Sequence, residues 1–350
     1  MSPACSGPAA ATFGSVEYVD SSQGSGPNEA QPSDEIEQWR AYVPVENLDL
    51  QVPEVDVGGA RLCQMTPGTR SELLETLAGS ADGTLAAPEL RAEMRRAIDE
   101  HFLPFFEGRA CLQFALAAPE PEVESAVIAR AEEILSLLRL YAGAFHPPSA
   151  RARIGISGRV LSGAGILVAV SDRGAHIPYE TTGALFPCKM DAEGLETARE
   201  RLHFEDLGAV VAKEHQDRTE YERRLLTALQ WLGAALEEDR LPEKVVALAT
   251  ALEALLLTGE VEKITNELAE RVAIALHDKL CERKKTKGRM KKLYALRSKV
   301  VHRGERDVDE GQAQELETIV LRTVVSMAPR QASLKTGTDV DAWFEDTRLG

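Results

Sequence analysis

Val245-Val246-Ala247-Leu248-Ala249-Thr250-Ala251-Leu252-Glu253-Ala254-Leu255-Leu256 sets the architecture of the second half of this chain. Val245, Leu248, Leu252, Leu255 and Leu256 recur at steps of three and four, the pattern of a helix that buries one face. Pro242 stands just inside its start, where a missing N–H costs nothing, and Gly259 marks its end. Upstream, Tyr221, Leu225, Leu229, Leu232 and Leu236 form a second such stripe. Downstream, Ile264, Leu268, Val272, Leu276 and Leu280 step by four through a third helix. A Lys-rich loop containing Gly288 is expected next, then a helix over Met290–Val301. Asp309 with Gln312 resembles a capping box that opens a last helix, striped by Ala313, Leu316, Val320, Val324 and Met327. Strand patterns stop at about Ala192, and Glu205–Lys213 leads into the helices. Five helices on short connections predict an all-α antiparallel bundle over 205–330. The tail, 331–350, is mostly polar, with Leu334, Val340, Trp343, Phe344 and Leu349 as its larger apolar residues, and reads as a frayed terminus in preference to a segment docked on a surface.

The first half has a different texture. Residues 1–34 are rich in Ser, Gly, Pro and Ala, a composition that buries too little to order itself, so a disordered leader is expected. Over 36–190 the pattern is α+β. Leu48–Val52 and Val55–Val57 alternate as strands do, and Ala110–Ala118 reads as a strand. Arg151–Ser171 reads as a hairpin around Gly163 and Gly165. Val123, Val127, Ala131, Ile134, Leu138 and Tyr141 follow helical spacing, and His146-Pro147-Pro148 ends that helix. Shorter helices are expected at 69–78 and 88–102. His101, His146 and His176 stand apart from any constellation. This half reads as a sensor or regulatory domain with room for a partner or ligand.

The chain has 350 residues and a net charge of −16, with 44% hydrophobic and 27% charged residues, which fits a globular protein with no membrane partner. No run of about 18 apolar residues suggests a membrane span, and no signal peptide is visible. Five scattered cysteines point to reduced thiols and a cytoplasmic setting. No ligand spacing suggests a metal, and no phosphate loop suggests a nucleotide cofactor. The charge is unevenly placed. Between Cys281 and Arg306 stand 11 Lys and Arg against Glu282 and Glu305, so the span carries +9 and the rest of the chain −25. A basic island in an acidic protein points to a local polyanion site.

Inside that island lies Arg297-Ser298-Lys299-Val300-Val301-His302, which joins a permanent cation to a side chain that titrates near neutrality. Gly304 supplies a helix stop, placing His302 at a helix end. Five positions amount to roughly 140° around an ideal helix. Within a continuous helix the two therefore share a face poorly, and a ring at the helix end could swing back toward Arg297. Lys284, Lys285, Lys287, Arg289, Lys291 and Lys292, with Lys299 and Arg303, read either as a solvated loop or as phosphate contacts.

Three ordered motifs then carry a resemblance: Ala251-Leu252-Glu253-Ala254-Leu255-Leu256, Glu267-Leu268-Ala269-Glu270-Arg271-Val272-Ala273, and Leu293-Tyr294-Ala295-Leu296-Arg297-Ser298-Lys299-Val300-Val301-His302 with Gly304. Their succession resembles the Apea-like branch of the HEPN families, over about Tyr221–Met327. The resemblance implies a HEPN-like bundle that pairs with its own copy. It implies a metal-independent ribonuclease of prokaryotic defence (toxin) type, with Arg297 and His302 as catalytic residues in a cleft shared by two protomers. Ser298 stands where many nuclease members have Asn, Asp or His, so a non-catalytic module that binds RNA or a nucleotide is the alternative. Gly304 stands where members modified on tyrosine carry that residue. Tyr294, Ser298, Glu253 and Arg271 are the expected supporting residues; the plain structural reading of Glu253 and Arg271 is an interhelical ion pair, and of Tyr294, packing.

Overall fold

The computed structural model describes residues 36–73, 106–147, 151–157, 187–259 and 263–349, with short pieces between 92–100 and 159–180. The expected leader, His101, the Gly163 turn, the second half of the 69–78 helix and most of the 88–102 helix lie outside these residues. A helical segment does occupy 67–73.

The longest strand, β1 (Ile36–Glu46), carries Pro44 and escapes the alternation test. Pro44 is tolerated because its carbonyl accepts from Ser157 N (2.9 Å), so its missing N–H also faces that short edge and leaves the ladder on the other side of the strand intact. Next come β2 (Leu48–Leu50), β3 (Glu54–Val57), β4 (Ala60–Gln64) and β5 (Ala110–Pro119). A central antiparallel sheet has the order β3-β4-β5-β1-β6, with β6 at Gly155–Ile156. Gly58 and Gly59, at φ +60° and +78°, form the two-residue turn between β3 and β4. The turn of the hairpin expected over Arg151–Ser171 lies outside the described residues, and the strands described on either side of it pair elsewhere. β6 instead adds to the open edge of β1 at Val45 and Glu46, while β7 (Gly165–Ile166) pairs with β10 (Tyr179–Glu180). Between them β8 (Ala169–Ser171) pairs with β9 (Gly174–His176), and β11 (Cys188–Met190) runs parallel to β2.

Helix α1 (Val123–Phe145) links this sheet to the rest. The expected stripe is buried from Ala131 on, but so are Leu135, Leu137 and Leu140 on the other side. A helix apolar all round is covered on both faces. The sheet covers one face of α1, and α4 (Glu220–Glu237) covers the other. A Cβ on Gly143 would lie 2.8 Å from Leu236 Cδ1, so Gly143 lets the two helices meet closely. One continuous apolar core therefore runs from Ala41 to Phe344.

After β11 every element is helical: α2 (Ala192–Leu202), α3 (Phe204–Ala212), α4, α5 (Leu241–Leu256), α6 (Ile264–Leu276), α7 (Leu280–Arg303), α8 (Glu310–Met327) and α9 (Gly337–Leu349). Thr219 and Glu222 close a reciprocal capping box on α4. Asp309 caps α8 by accepting from Gln312 N at 2.9 Å. Three expectations are corrected here. Gly259 does not end α5, which stops at Leu256 with its cap at Leu257. Leu280 does not belong to the third helix; α6 stops at Leu276, and Leu280 opens α7 with 65% of its surface exposed. The Lys-rich loop is helix. Lys and Arg are good helix formers, and only Gly288 weighs against the helix by about 1 kcal/mol. Neighbours hold the segment in place: Arg283 donates to His277 O (2.7 Å) and Thr347 O (2.9 Å), and Arg289 pairs with Glu315 (2.7 Å).

The tail is also ordered, with Val340 and Phe344 buried in α9. Asp341 binds Arg271 (2.8 Å) and Thr258 (2.6 Å), the Arg271 guanidinium lies 5.1 Å over the Phe344 ring, and Arg330 lies 3.9 Å over Trp343.

Polar contacts tie the sheet to the helices. Arg218 forks onto Glu133 (2.9 and 2.7 Å), and the buried Arg151 meets Glu317 (2.8 Å). Glu237, at the end of α4, accepts from Ile154 N (3.1 Å), with Arg139 Nε at 3.8 Å. Burial outweighs the arginine and pushes the Glu237 carboxyl up to about 7. A carboxyl whose folded pKa is raised stabilises the fold at low pH and loses that contribution as pH climbs through the raised value. Unfolding free energy therefore falls between about pH 4.5 and 7 through this group. Glu237→Gln keeps the acceptor without the charge, so the variant gains on the parent at pH 8 and not at pH 4. Urea unfolding at the two pH values checks this; an equal difference at both would remove Glu237 as the source.

Candidate nucleic-acid interface

Most of the basic island lies on a single helix. Met290, Leu293 and Tyr294 of α7 are buried, and Leu296 and Val300 pack behind them. The opposite side carries Lys284, Lys285, Lys292, Lys299 and Arg303, all exposed, with Lys291 half-buried beside them. Among the described residues these six form no ion pair and no side-chain hydrogen bond. From Lys284 to Arg303 the face runs about 28 Å at 1.5 Å per residue. No Asp or Glu occurs between Arg283 and Gly304. Two expected members leave this face. Lys287 contacts Glu270, whose carboxyl it holds below the usual range, and Arg289 is occupied by Glu315.

The expected site residues fall into two groups. The first closes the seam between α5 and α7. Tyr294 Oη donates to Glu253 Oε1 at 2.7 Å, and Arg297 Nε lies 3.4 Å from the same oxygen. That approach is an ion pair without hydrogen-bond alignment, since Arg297 Nε is buried and makes no hydrogen bond. The Arg297 guanidinium sits 6.0 Å over the Tyr294 ring. Burial, with the hydrogen bond to Glu253, pushes the Tyr294 phenol well up. Tyr294 therefore both packs and bonds. The interhelical ion pair expected of Glu253 and Arg271 forms with other partners: Glu253 takes Arg297, while Arg271 takes Glu267 (2.7 Å) and Asp341 and donates to Leu256 O (2.6 Å). Arg271 thus belongs to the docking of α9.

The second group is His302 and Ser298. Both are exposed and lie on or beside the basic face. His302 lies in the last turn of the helix, as the Gly304 stop predicts. The helix runs through Arg303 and stops at Gly304 (φ +65°), whose N–H bonds back to Val300 O at 3.1 Å. His302 therefore stays on the helix, roughly 140° around the axis from Arg297. One copy of the chain brings Arg297 to Glu253 and Tyr294, and it does not bring His302 to Arg297.

Beside the C-terminal end of α7 lies an open groove of about 630 Å³, lined by Trp231, Leu241, Pro242, Val246 and Val300 among others. Trp231 and Val301 expose 42% and 48% of their surface. Neither Val301 nor His302 lines this groove, which reaches α7 at Val300 and Gly304. Sequence periodicity gave no sign of it, because Trp231 lies outside the α4 stripe.

Among the described residues no three His, Cys, Asp or Glu cluster as metal ligands would, and no helix is long and apolar enough to cross a membrane. No family model, curated protein or solved structure matches this chain.

Proposed function

We propose that this protein binds RNA along α7 and cleaves it without a metal, at a site completed by two copies of an HEPN-like helical domain, in the manner of a cytoplasmic defence toxin. The observation that carries the reading is a basic face, unpaired among the described residues, that ends in an exposed imidazole with no partner among them. A cation track of this kind holds phosphate, and a histidine at its end can move a proton. RNA supplies the nucleophile. His302 takes the proton of a ribose 2′-hydroxyl, the 2′-oxygen attacks phosphorus, and the bond from phosphorus to the 5′-oxygen breaks. The leaving oxygen takes its proton from a protonated His302 of the second copy, leaving a 2′,3′-cyclic phosphate and a 5′-hydroxyl. One imidazole serves poorly as both base and acid in one event, which is the chemical reason for a pair. Arg297 opposes the growing phosphoryl charge once it exchanges Glu253 for phosphate. The N-terminal α+β part then acts as the sensor or regulator.

A second reading, an RNA- or nucleotide-binding module without catalysis, is favoured by two observations. Glu253 neutralises Arg297, and Ser298 offers only an exposed hydroxyl beside it. Incubating the full chain with end-labelled RNA in EDTA separates the two. Shortened RNA with cyclic phosphate ends supports cleavage, and intact but bound RNA leaves the binding module. RNA neither bound nor cut would overturn both. Light scattering at micromolar protein is expected to show a dimer, and a strict monomer with and without RNA would remove the paired site.

A further inference from the structure

We infer that the exposed face of α7 reads the shape of double-stranded RNA, gripping a duplex by its phosphates without reading sequence; this deepens the RNA-binding reading above and rests on it. Residues 284–304 divide into three heptads, beginning at Lys284, Lys291 and Ser298. Their first positions are Lys284, Lys291 and Ser298, and their second positions Lys285, Lys292 and Lys299. Their fifth positions are Gly288, Ala295 and His302. At 100° per residue, the fifth positions lie between the first and second. The face is thus a row of three lysines and a row of two lysines and a serine, on either side of a low floor, Gly288 and Ala295, with His302 at its end. A Cβ added at Gly288 would meet nothing within 4 Å, so the floor is open to solvent. Each heptad advances about 10.5 Å, and the drift of about 20° per heptad keeps the rows aligned over three repeats.

What the face lacks decides between ligand forms. Proteins that hold single strands stack bases on aromatic rings, and those that read sequence bond base edges with amide side chains. The aromatic residue of α7, Tyr294, is buried toward Glu253, and no Asn or Gln occurs between Arg283 and Gly304. A flexible strand laid on this track loses conformational freedom and gains stacking only at its end, on His302 and Arg303. A duplex already holds its phosphates in fixed rows, and the Gly–Ala floor lets that backbone approach between the lysines.

The test is a titration of the full chain, in EDTA over a salt series, with an RNA duplex, each of its separated strands, and phosphatidylserine vesicles. Lys285→Ser/Lys292→Ser/Lys299→Ser, at three exposed positions, is titrated in parallel. The duplex is expected to bind more tightly than either strand, with a salt slope of about −0.9 per neutralised phosphate against about −0.7 for a single strand. The triple variant is expected to flatten the duplex slope by roughly 0.9 per lysine removed. Equal or tighter binding of the separated strands overturns the duplex inference and leaves RNA binding standing. An unchanged slope in the triple variant removes this face as the site. Failure of both RNA forms to bind, or tighter binding to vesicles than to duplex, overturns the RNA reading as well.

Discussion

Phe344→Ala lowers the unfolding free energy by about 3–5 kcal/mol, the cost of emptying a fully buried aromatic site. Phe344 is 1% exposed, inside a segment whose composition suggests a loose end. Its ring fills the seam between α9 and the helices beneath it and lies under the Arg271 guanidinium. The lost ring leaves a cavity and removes that cation–ring contact, worth about 0.5–2 kcal/mol by itself. Asp341 and Thr258 cannot make this good, because they hold the edge of the helix and not its apolar face. The effect reaches beyond the tail: the Lys335 carbonyl accepts from Tyr221 N (3.0 Å), so the chain leading into α9 also caps the start of α4. Urea unfolding should show a lower midpoint with little change in slope. Trp343→Ala, at a half-buried position under Arg330, should cost less. A Phe344→Ala loss below about 1 kcal/mol would mean that α9 is undocked in solution.

The contrast between tail and bundle shows what the sequence could and could not convey. The stripes of α1, α4, α5 and α8 are legible because each helix buries a face wide enough to repeat over four turns. Only one side of α1 is legible, because periodicity records a single face and Leu135, Leu137 and Leu140 are buried by a second layer. The N-terminal half of α7 is misread as loop because its contacts with the rest of the fold are polar. Arg283, Lys287 and Arg289 are held by carbonyls and carboxylates of distant segments, and no hydropathy pattern encodes such partners. The same gap hides α9, whose Asp341 is meaningful only beside Arg271. At the site, the hexapeptide signals the chemistry, but the partner of Arg297 lies 44 positions away on α5. The basic face becomes visible only once 280–303 is known to be one helix, which turns paired lysines at seven-residue intervals into rows.

His302→Ala is the second large effect. Loss of a positioned proton-transfer group costs about 10²–10⁴ in rate, so metal-independent RNA cleavage falls by that factor. The fold should survive, since His302 is exposed and bonds to no side chain among the described residues. Unfolding midpoints of variant and parent should therefore coincide, and RNA affinity should hardly change, because Lys299 and Arg303 still flank the position. Arg297→Ala behaves differently. It removes the cation facing Glu253 and leaves a half-buried carboxylate beside Tyr294, so it loses both activity and stability. Arg297→Lys restores the charge without the planar fork, and should recover stability more than rate if the guanidinium grips phosphate in the transition state. Three outcomes of a cleavage assay in EDTA divide the possibilities. A parent that cuts while His302→Ala does not supports the paired imidazole. A parent and variant that cut equally place the activity elsewhere. A parent that binds duplex RNA and cuts none leaves α7 as a binding face, with the Glu253–Arg297 pair as its permanent state.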